Sequence, residues 1–349
     1  MPNDQRGDGA ARTATRTTPT VRLRALGWDH DRCMRPMLAC AEAWAEQNPA
    51  VEISWERRSL TDFGDQPLED VTHRFDLVVI DHPFCGTAAE LGCLRPLDEL
   101  LAPETLGALR ADAVGPSHRS YEFGGHQWGL ATDAACQVAA VRPDLLGGRR
   151  VPVTWDEVTS LAHELAGRVA LPLSPPHALS SFLTLCANAG AAVAEQSERL
   201  VDRATGEHAV ALLLELARLG PGEAVDWEPP DALDRLSGTD DLVYVPLTYS
   251  YVTYADAQRT IVGPTGGQPG SRAAWDDAKL DEACGGFFSG TRATIDAAWV
   301  RPRDAWWPLF QLEGGIALTQ ALRDQASPGA ALDAVEAAYH DARTQRSPA

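Results

Sequence analysis

The hydrophobic pattern of residues 21 to 81 predicts three β-strands with helices and loops between them. The segments VRLRAL, which starts at Val21, and VEISWERRS, which starts at Val51, alternate apolar and polar residues as half-buried strands do. The third segment, LVVI at residues 77–80, is a continuous apolar run, which is typical of a short strand buried on both faces of a parallel sheet. Because helical segments separate the strands, we expect a parallel sheet with right-handed crossovers.

A helical pattern lies between the first two strands. In MLACAEAWAEQN, Leu38, Ala41 and Trp44 fall on one helical stripe before Pro49 ends the segment. We expect this stripe to pack in the core, and we expect the same of Trp275 on a later helix.

The first and third strands end in similar sequences. Trp28, Asp29 and His30 follow the first strand, and Asp81 and His82 follow the third. In a parallel sheet, ligands bind beyond the carboxyl ends of the strands, so we expect these two segments to face each other across one crevice and to contact a ligand there. The alternative is that Asp29 and Asp81 only cap the helices that follow, which is a common role of aspartate.

His30 and His82 also allow a catalytic interpretation. Each imidazole stands beside a carboxylate that would raise its pKa and orient it, so His82, Asp81 and His30 are the catalytic candidates. In the alternative, each histidine only closes its strand by bonding to a neighbouring turn. The sequence contains no GxSxG elbow, no GxGxxG motif after a strand, no GxxxxGKS/T phosphate loop and no complete zinc motif. We therefore expect neither a cofactor nor a metal.

The charge of the chain restricts its partners. With 30 Lys and Arg against 49 Asp and Glu, the formal net charge is −19 at pH 7, which argues against nucleic acid and anionic membranes as partners. No stretch is long and apolar enough to span a membrane, and residues 1–20 lack the hydrophobic segment of a secretory signal. We therefore expect a cytoplasmic protein as written, or an extracytoplasmic one if the true start lies upstream.

Three motifs further along resemble those of a known family. The strand at residues 75–81 leads into DHPFCGTAAELGCLRPLDELL, the segment WGLATDAACQVAAVRPDLL covers residues 128–146, and TWDEVTSLA has Thr154 and Glu157 at the positions of a capping box. Their order resembles that of the extracellular solute-binding proteins of ABC transporters, in particular the sugar-binding, maltose-type family. The resemblance extends over about residues 21–310.

The resemblance implies an α/β, two-lobed fold of the periplasmic-binding-protein type II, with a hinge and an interlobe cleft. It implies a first lobe at residues 21–131, a second, mainly helical lobe at 132–254, and crossover and C-terminal helices at 255–345 that complete the lobes. Residues 1–20 are rich in Thr, Arg and Gly and predict a disordered tail. Residues 255–270 lack the glycine-rich strand and long helix of relatives, so we expect a shorter first lobe.

In that family, aromatic faces and short polar groups hold the ligand between the lobes. Trp128, Asp133, Tyr249, Ser250 and Tyr251 fall at matching positions. The C–H faces of a sugar stack on aromatic rings, and its hydroxyls need fixed acceptors such as Asp. For Trp28 and Trp128, core packing is an equal alternative. For the tyrosines, the alternative is a strand with a half-buried face. The implied partners are a small, sugar-like ligand and, if the protein is exported, an ABC permease.

A later cluster combines cations and aromatic rings: Arg301, Arg303, Trp306, Trp307 and Phe310. Cation–π packing would explain the cluster as part of the core. The functional alternative is that Arg301 or Arg303 holds an anionic substrate.

Three functions stay open at this point. The main hypothesis is a solute-binding protein that holds a small polar ligand in the interlobe cleft. The second is an enzyme that uses His82 and Asp81 in the same cleft, and the third is a degenerate scaffold that binds a protein partner. The sequence favours the hypotheses without catalysis.

Overall fold

Parallel strands form the centre of the first lobe. β1 (Val21–Trp28) lies between β2 (Val51–Arg58) and β3 (Leu77–Val78), and both neighbours run parallel to it, as the sequence predicts. This architecture is that of a computed structural model, which describes residues 21–191, 193, 197–249 and 268–345.

The third strand is shorter and less buried than its sequence suggests. Only Leu77 and Val78 pair with β1, and Leu77 is 42% exposed, so the prediction of a strand buried on both faces is wrong. The buried residue of the run is Ile80, which lies beyond the paired part and packs against Leu26 and Phe84. The apolar run therefore serves mainly to bring the chain from the sheet into the core at the strand's carboxyl end.

The first helix, α1 (Asp31–Gln47), begins earlier than its apolar stripe suggests. Its buried apolar residues lie in the first two turns and include Met34 and Met37, and no residue after Met37 is buried. Leu38 is 45% exposed and Trp44 is 51% exposed, so the predicted core stripe is wrong. Because only the first two turns pack in the core, the periodicity of the later turns does not mark a buried face.

The rest of the first lobe consists of short elements that complete its core. Trp128 packs there with Leu26, Ile80 and Phe84. The elements are α2 (Leu60–Asp65), α3 (Glu69–Thr72), α4 (Cys85–Leu91), α5 (Pro103–Ala111), β4 (Glu122–Phe123) and β5 (His126–Gln127).

The second lobe combines a small antiparallel sheet with helices. β6 (Gln137–Val141) pairs with β7 (Tyr244–Tyr249), with an irregular register between Val138 and Ala140. The capping box predicted at Thr154 and Glu157 is confirmed at the start of α6. The helices are α6 (Trp155–Glu164), α7 (Pro175–Asn188), α8 (Arg203–Leu219) and α9 (Pro229–Gly238).

Three short helices return the chain to the first lobe. They are α10 (Arg272–Trp275), α11 (Ala278–Ala283) and α12 (Phe287–Asp296). Trp275 is 4% exposed and packs with Phe288 and Val114, so its predicted core position is confirmed. The prediction of a shortened first lobe at residues 255–270 falls largely outside the described residues.

The C-terminal helices, α13 (Trp307–Arg323) and α14 (Pro328–Gln345), complete the core of the second lobe. Trp307, Phe310 and Tyr339 pack edge to face at its centre. The cation over this cluster is Arg343, 5.7 Å from the Trp306 ring, so packing explains the aromatic residues but the cations are not the predicted Arg301 and Arg303. None of the helices in the described part of the chain combines the length and the apolar character needed to cross a membrane.

Candidate functional site

A cleft of about 710 Å³ lies between the lobes at the carboxyl ends of β1 and β3. It is bounded by both lobes and by the two connecting segments at residues 129–136 and 297–306. The polar and aromatic residues in its lining include Trp28, Arg32, Asp81, His82, Tyr121, Asp133, Gln137, His177, Ser180, Thr184, Asn188, Tyr249, Arg301 and Gln311.

An ion pair joins the end of β3 to the connecting segment before α13. The Arg301 Nη2 atom donates to both carboxylate oxygens of Asp81, at 2.7 Å each, and its Nη1 atom donates to Gln311. Asp81 Oδ1 also accepts from the backbone N–H of His82 at 2.9 Å, so Asp81 caps the turn that follows the strand as well. Burial works to raise the pKa of Asp81, but the Arg301 guanidinium and His82 overcome it and hold that pKa below its ordinary value.

His82 is held neutral rather than prepared for proton transfer. Its Nδ1 atom lies 3.3 Å from Asp81 Oδ1, and its Nε2 atom is buried with no hydrogen-bond partner among the described residues. Burial and the nearby Arg301 lower the pKa of His82, and Asp81 opposes this without reversing it. Asp81 acts to raise this pKa as expected, but the expected net increase is wrong, because burial and the Arg301 charge outweigh Asp81. The Tyr121 ring packs edge-on to His82, and its hydroxyl donates to the backbone oxygen of Ile80 at 3.3 Å.

A second ion pair crosses from α1 to the other connecting segment. Arg32, in the first turn of α1 and only 8% exposed, donates from Nε to Asp133 Oδ1 at 2.9 Å and from Nη2 to Asp133 Oδ2. Its guanidinium also lies 5.9 Å from the Trp28 ring. Asp133 therefore faces the cleft with its charge already matched by Arg32.

The structure brings only part of the predicted site together. Trp28, Asp81, His82, Asp133 and Tyr249 line the cleft. Their contact with a ligand stays a prediction. Ser250 and Tyr251 lie outside the described residues.

Asp29 and His30 are not among the residues that line the cleft. Asp29 is exposed and accepts from Arg57 Nη1 at 2.8 Å. His30 caps α1, because its Nδ1 atom accepts from the backbone N–H of Arg32 at 3.1 Å, and its ring stacks on Trp28. Burial and Arg32 lower the pKa of His30 as well, against the expectation of a raised value. The predicted pair of histidines across one crevice is therefore wrong in this structure.

Trp128 belongs to the core of the first lobe. It is 8% exposed, and its Nε1 atom donates to the backbone oxygen of Phe123 at 2.9 Å. Of its two interpretations, the packing one describes its position, since the ring does not reach the cleft lining.

A polar stripe on α7 is the part of the site that the sequence analysis missed. His177, Ser180, Thr184 and Asn188 recur at intervals of three and four residues and line the cleft from the second lobe. Thr184 Oγ1 donates to Gln137 Oε1 at 2.5 Å, which ties the stripe to β6. The signal was present in the sequence SPPHALS, because Ser followed by Pro marks a helix start and puts the histidine in the first turn.

His177 is the histidine of this stripe, and its pKa is strongly lowered. Its ring lies 6.0 Å from that of Tyr249, and its buried Nδ1 atom has no hydrogen-bond partner among the described residues. Burial and the nearby Arg301 lower the pKa of His177 to about 4. As the pH falls, His177 is therefore protonated in the unfolded chain before it is protonated in the folded chain. The stability that the neutral His177 contributes is complete above pH 6.5 and is lost as the pH falls toward 4.

We expect His177→Gln to flatten the dependence of stability on pH. Between pH 7 and pH 5, the free energy of unfolding of the unmodified chain should fall by about 2 kcal/mol more than that of the variant. Urea unfolding at both pH values measures the difference. His163→Gln is the control, because His163 is 52% exposed in its ion pair with Glu215. If the free energy of unfolding changed equally with pH in the His177 variant and the unmodified chain, the lowered pKa of His177 would be contradicted.

No family model matches the chain, and no curated protein matches it. Solved structures, in contrast, do match the chain. An ABC-transporter solute-binding protein from Agrobacterium radiobacter K84, solved with ribitol, is 18% identical with a TM-score of 0.71, over 94% of this chain and 100% of that chain. Maltose-bound MalE3 of T. maritima is 15% identical with a TM-score of 0.74, over 93% of this chain and 100% of that chain.

The GacH receptor of Streptomyces glaucescens, solved without ligand and with acarbose, is also similar. It is 12% identical with a TM-score of 0.73, and the match covers 95% of this chain and 100% of that chain. At these identities the likeness establishes the fold. The chain has the two-lobed α/β fold of periplasmic solute-binding proteins, with a hinge and an interlobe cleft, as the sequence predicts.

Proposed function

We propose that this protein is a solute-binding protein of the ABC-transporter type, which holds a small, uncharged, carbohydrate-like ligand in the interlobe cleft. The observation that carries the proposal is the composition of the cleft wall: the rings of Trp28 and Tyr249 line the same cleft as hydroxyl, amide and imidazole groups on α7 and β6. A sugar needs both kinds of surface, since its ring faces are apolar and its hydroxyls require fixed partners. Similar folds have been solved with ribitol, maltose and acarbose.

The charges in the cleft support an uncharged ligand. Arg301 is paired with Asp81 and Arg32 with Asp133, each through two hydrogen bonds between guanidinium and carboxylate. An anionic substrate would have to displace a buried carboxylate from Arg301, which leaves that carboxylate without its partner. The interpretation of Arg301 as an anion-binding residue is therefore the weaker one.

The geometry around His82 gives little support to the alternative of an enzyme. A general base must come within hydrogen-bonding distance of the proton it removes. The Nε2 atom of His82 is buried, and its Nδ1 atom faces Asp81. Asp81 is in turn held ionised by Arg301. These groups hold the cleft in shape rather than offer a proton acceptor to a ligand.

A permease is the partner that this proposal implies. In such a system the binding protein delivers its ligand to the permease outside the cytoplasm, so the proposal carries an extracytoplasmic location with it. Co-purification with an encoded neighbouring permease, dependent on ligand, would test this part separately.

Blocking the cleft is expected to abolish binding. Ser180 lines the cleft, and its hydroxyl donates to the backbone oxygen of Pro176 at 2.8 Å. Ser160 on α6 makes the same bond to Asp156 at 2.8 Å but is exposed and lies away from the cleft. We expect Ser180→Trp to remove ligand binding and Ser160→Trp to retain it.

The measurement is thermal unfolding and calorimetric titration with ribitol, maltose and acarbose. A ligand at a hundred times its Kd stabilises the folded state by about 2.7 kcal/mol. We expect at least one of the three to stabilise the unmodified chain and the Ser160 variant but not the Ser180 variant. Binding that survives in the Ser180 variant would place the ligand elsewhere, and no binding of any polyol or sugar would contradict the proposal.

A further inference from the structure

One part of the cleft wall carries four apolar side chains, which offer no hydrogen-bond partner to a sugar hydroxyl. Leu60 and Phe63 of α2 line it from the first lobe, and Leu312 and Ile316 of α13 line it from the second. The first three are half-buried and Ile316 is 45% exposed, so all four keep surface that faces the cleft. α2 and α13 lie against each other across the lobes, so these side chains border the cleft where the two helices meet.

The spacing of these residues shows that each helix presents one apolar face to the cleft. Leu60 and Phe63 are three residues apart, and Leu312 and Ile316 are four residues apart, so each pair shares a helix face. The start of α7 lines the cleft as well, with Pro175 and Pro176 next to His177 of the polar stripe. The start of α7 also touches α13, because an added Cβ at Gly315 would lie 2.2 Å from the Pro175 oxygen. The apolar part of the wall therefore lies where α2 and α13 meet, and the polar stripe of α7 begins beside it.

Apolar walls select a particular part of a ligand. A hydroxyl placed between Leu60, Leu312 and Ile316 would lose its water and find no hydrogen-bond partner in these side chains, which is unfavourable. A hydrocarbon group in the same place removes apolar surface from water on both walls, which is favourable.

We infer that the ligand is amphipathic: a carbohydrate-like part that faces α7 and the connecting segments, joined to an alkyl, acyl or aryl group that lies between α2 and α13. This inference rests on the proposed function and narrows it from sugars in general to sugars with an apolar substituent. The two parts of such a ligand match the two ends of one continuous cleft.

Two maltosides that differ only in the substituent test the inference. Methyl β-D-maltoside and n-octyl β-D-maltoside, the latter below its micelle-forming concentration, are titrated calorimetrically into the full chain. We expect the octyl compound to bind at least about tenfold more tightly, because each buried methylene contributes to affinity. Equal affinities of the two compounds would overturn the inference and leave the proposed function standing.

Paired variants locate the effect. Ile316→Asn replaces an apolar residue of the cleft, and Leu38→Asn replaces one on α1 with the same 45% exposure that does not line the cleft. We expect Ile316→Asn to weaken the octyl maltoside by about fivefold and to leave the methyl maltoside within twofold. Leu38→Asn should change neither. An equal loss for both maltosides would show that Ile316 only helps the lobes to close, which overturns the inference.

If neither maltoside binds, titration with 1-octanol tests the apolar subsite separately from the carbohydrate part of the proposed function. Binding of the alcohol that Ile316→Asn weakens would support the apolar subsite and contradict the carbohydrate part of the proposed function. If none of the three compounds binds, both the inference and the carbohydrate proposal are overturned.

Discussion

Replacing Arg301 by leucine is expected to lower the free energy of unfolding by about 3 kcal/mol, because it leaves the Asp81 carboxylate without its partner in a largely buried position. The side chains of Arg301 and Asp81 are only 21% and 22% exposed. In the intact pair, the guanidinium holds the pKa of Asp81 below its ordinary value of 3.8. The contribution is therefore present above that pH and is lost as the pH falls below it. Urea unfolding at pH 7 measures the loss.

An exposed ion pair supplies the control. Arg323 pairs with Asp226, and these side chains are 42% and 61% exposed. We expect Arg323→Leu to cost less than about 1 kcal/mol, because water solvates the remaining carboxylate. The double variant Arg301→Leu with Asp81→Leu should recover part of the loss, since it removes the unpaired charge. If Arg301→Leu costs no more than Arg323→Leu, the pair does not stabilise the junction of the lobes.

A methyl group at Gly86 is expected to destabilise the protein by about 3 kcal/mol, because it would collide with the connecting segment before α13. An added Cβ would lie 2.0 Å from the Arg303 oxygen and 2.7 Å from the Ala305 nitrogen, both of which are backbone atoms. The N–H of Gly86 also donates to that same Arg303 oxygen at 2.7 Å. Gly86→Ala therefore has to push the segment away and lengthen the hydrogen bond together, which thermal and urea unfolding would both report.

Gly290→Ala is the matched change on another helix. Gly290 lies within α12, and an added Cβ there would have no atom within 4 Å. We expect that variant to be more stable than the unmodified chain by up to about 1 kcal/mol, because alanine favours helix more than glycine does. Unfolding of the Gly86 variant at the same urea concentration as the unmodified chain would show that the segment can yield at no cost.

Local patterns in the sequence predict the elements of the fold better than they predict what each element buries. The strands β1 and β2 and the capping box at Thr154 depend on neighbouring residues, and all three form as predicted. The predicted alternation of burial holds along β2 but is wrong for β1, whose last four residues are all buried. The buried face of α1 depends on which turns the rest of the lobe covers. Leu38 and Trp44 lie beyond that cover, so their helical spacing gives the wrong face.

The candidate site shows the same limit. Asp81 and Asp133 could be placed at the cleft because strand ends and family motifs mark them. Their charge partners could not be placed, since Arg301 lies 220 residues from Asp81 and Arg32 lies 101 residues from Asp133. Burial and the distant Arg301 also lower the pKa of His82, and neither can be read from the carboxylate beside it, which is why the expected direction was wrong.

The second lobe is built from helices that the ribosome synthesises at widely separated times. Its core joins Phe182 on α7 and Leu213 on α8 to Trp307 and Tyr339, while α10, α11 and α12, which lie between them in the chain, belong to the other lobe. A ribosome therefore releases α7 and α8 long before α14 exists to cover them. The growing polypeptide therefore exposes the apolar surface of α7 and α8 until α14 emerges, and surface of this kind promotes aggregation during synthesis.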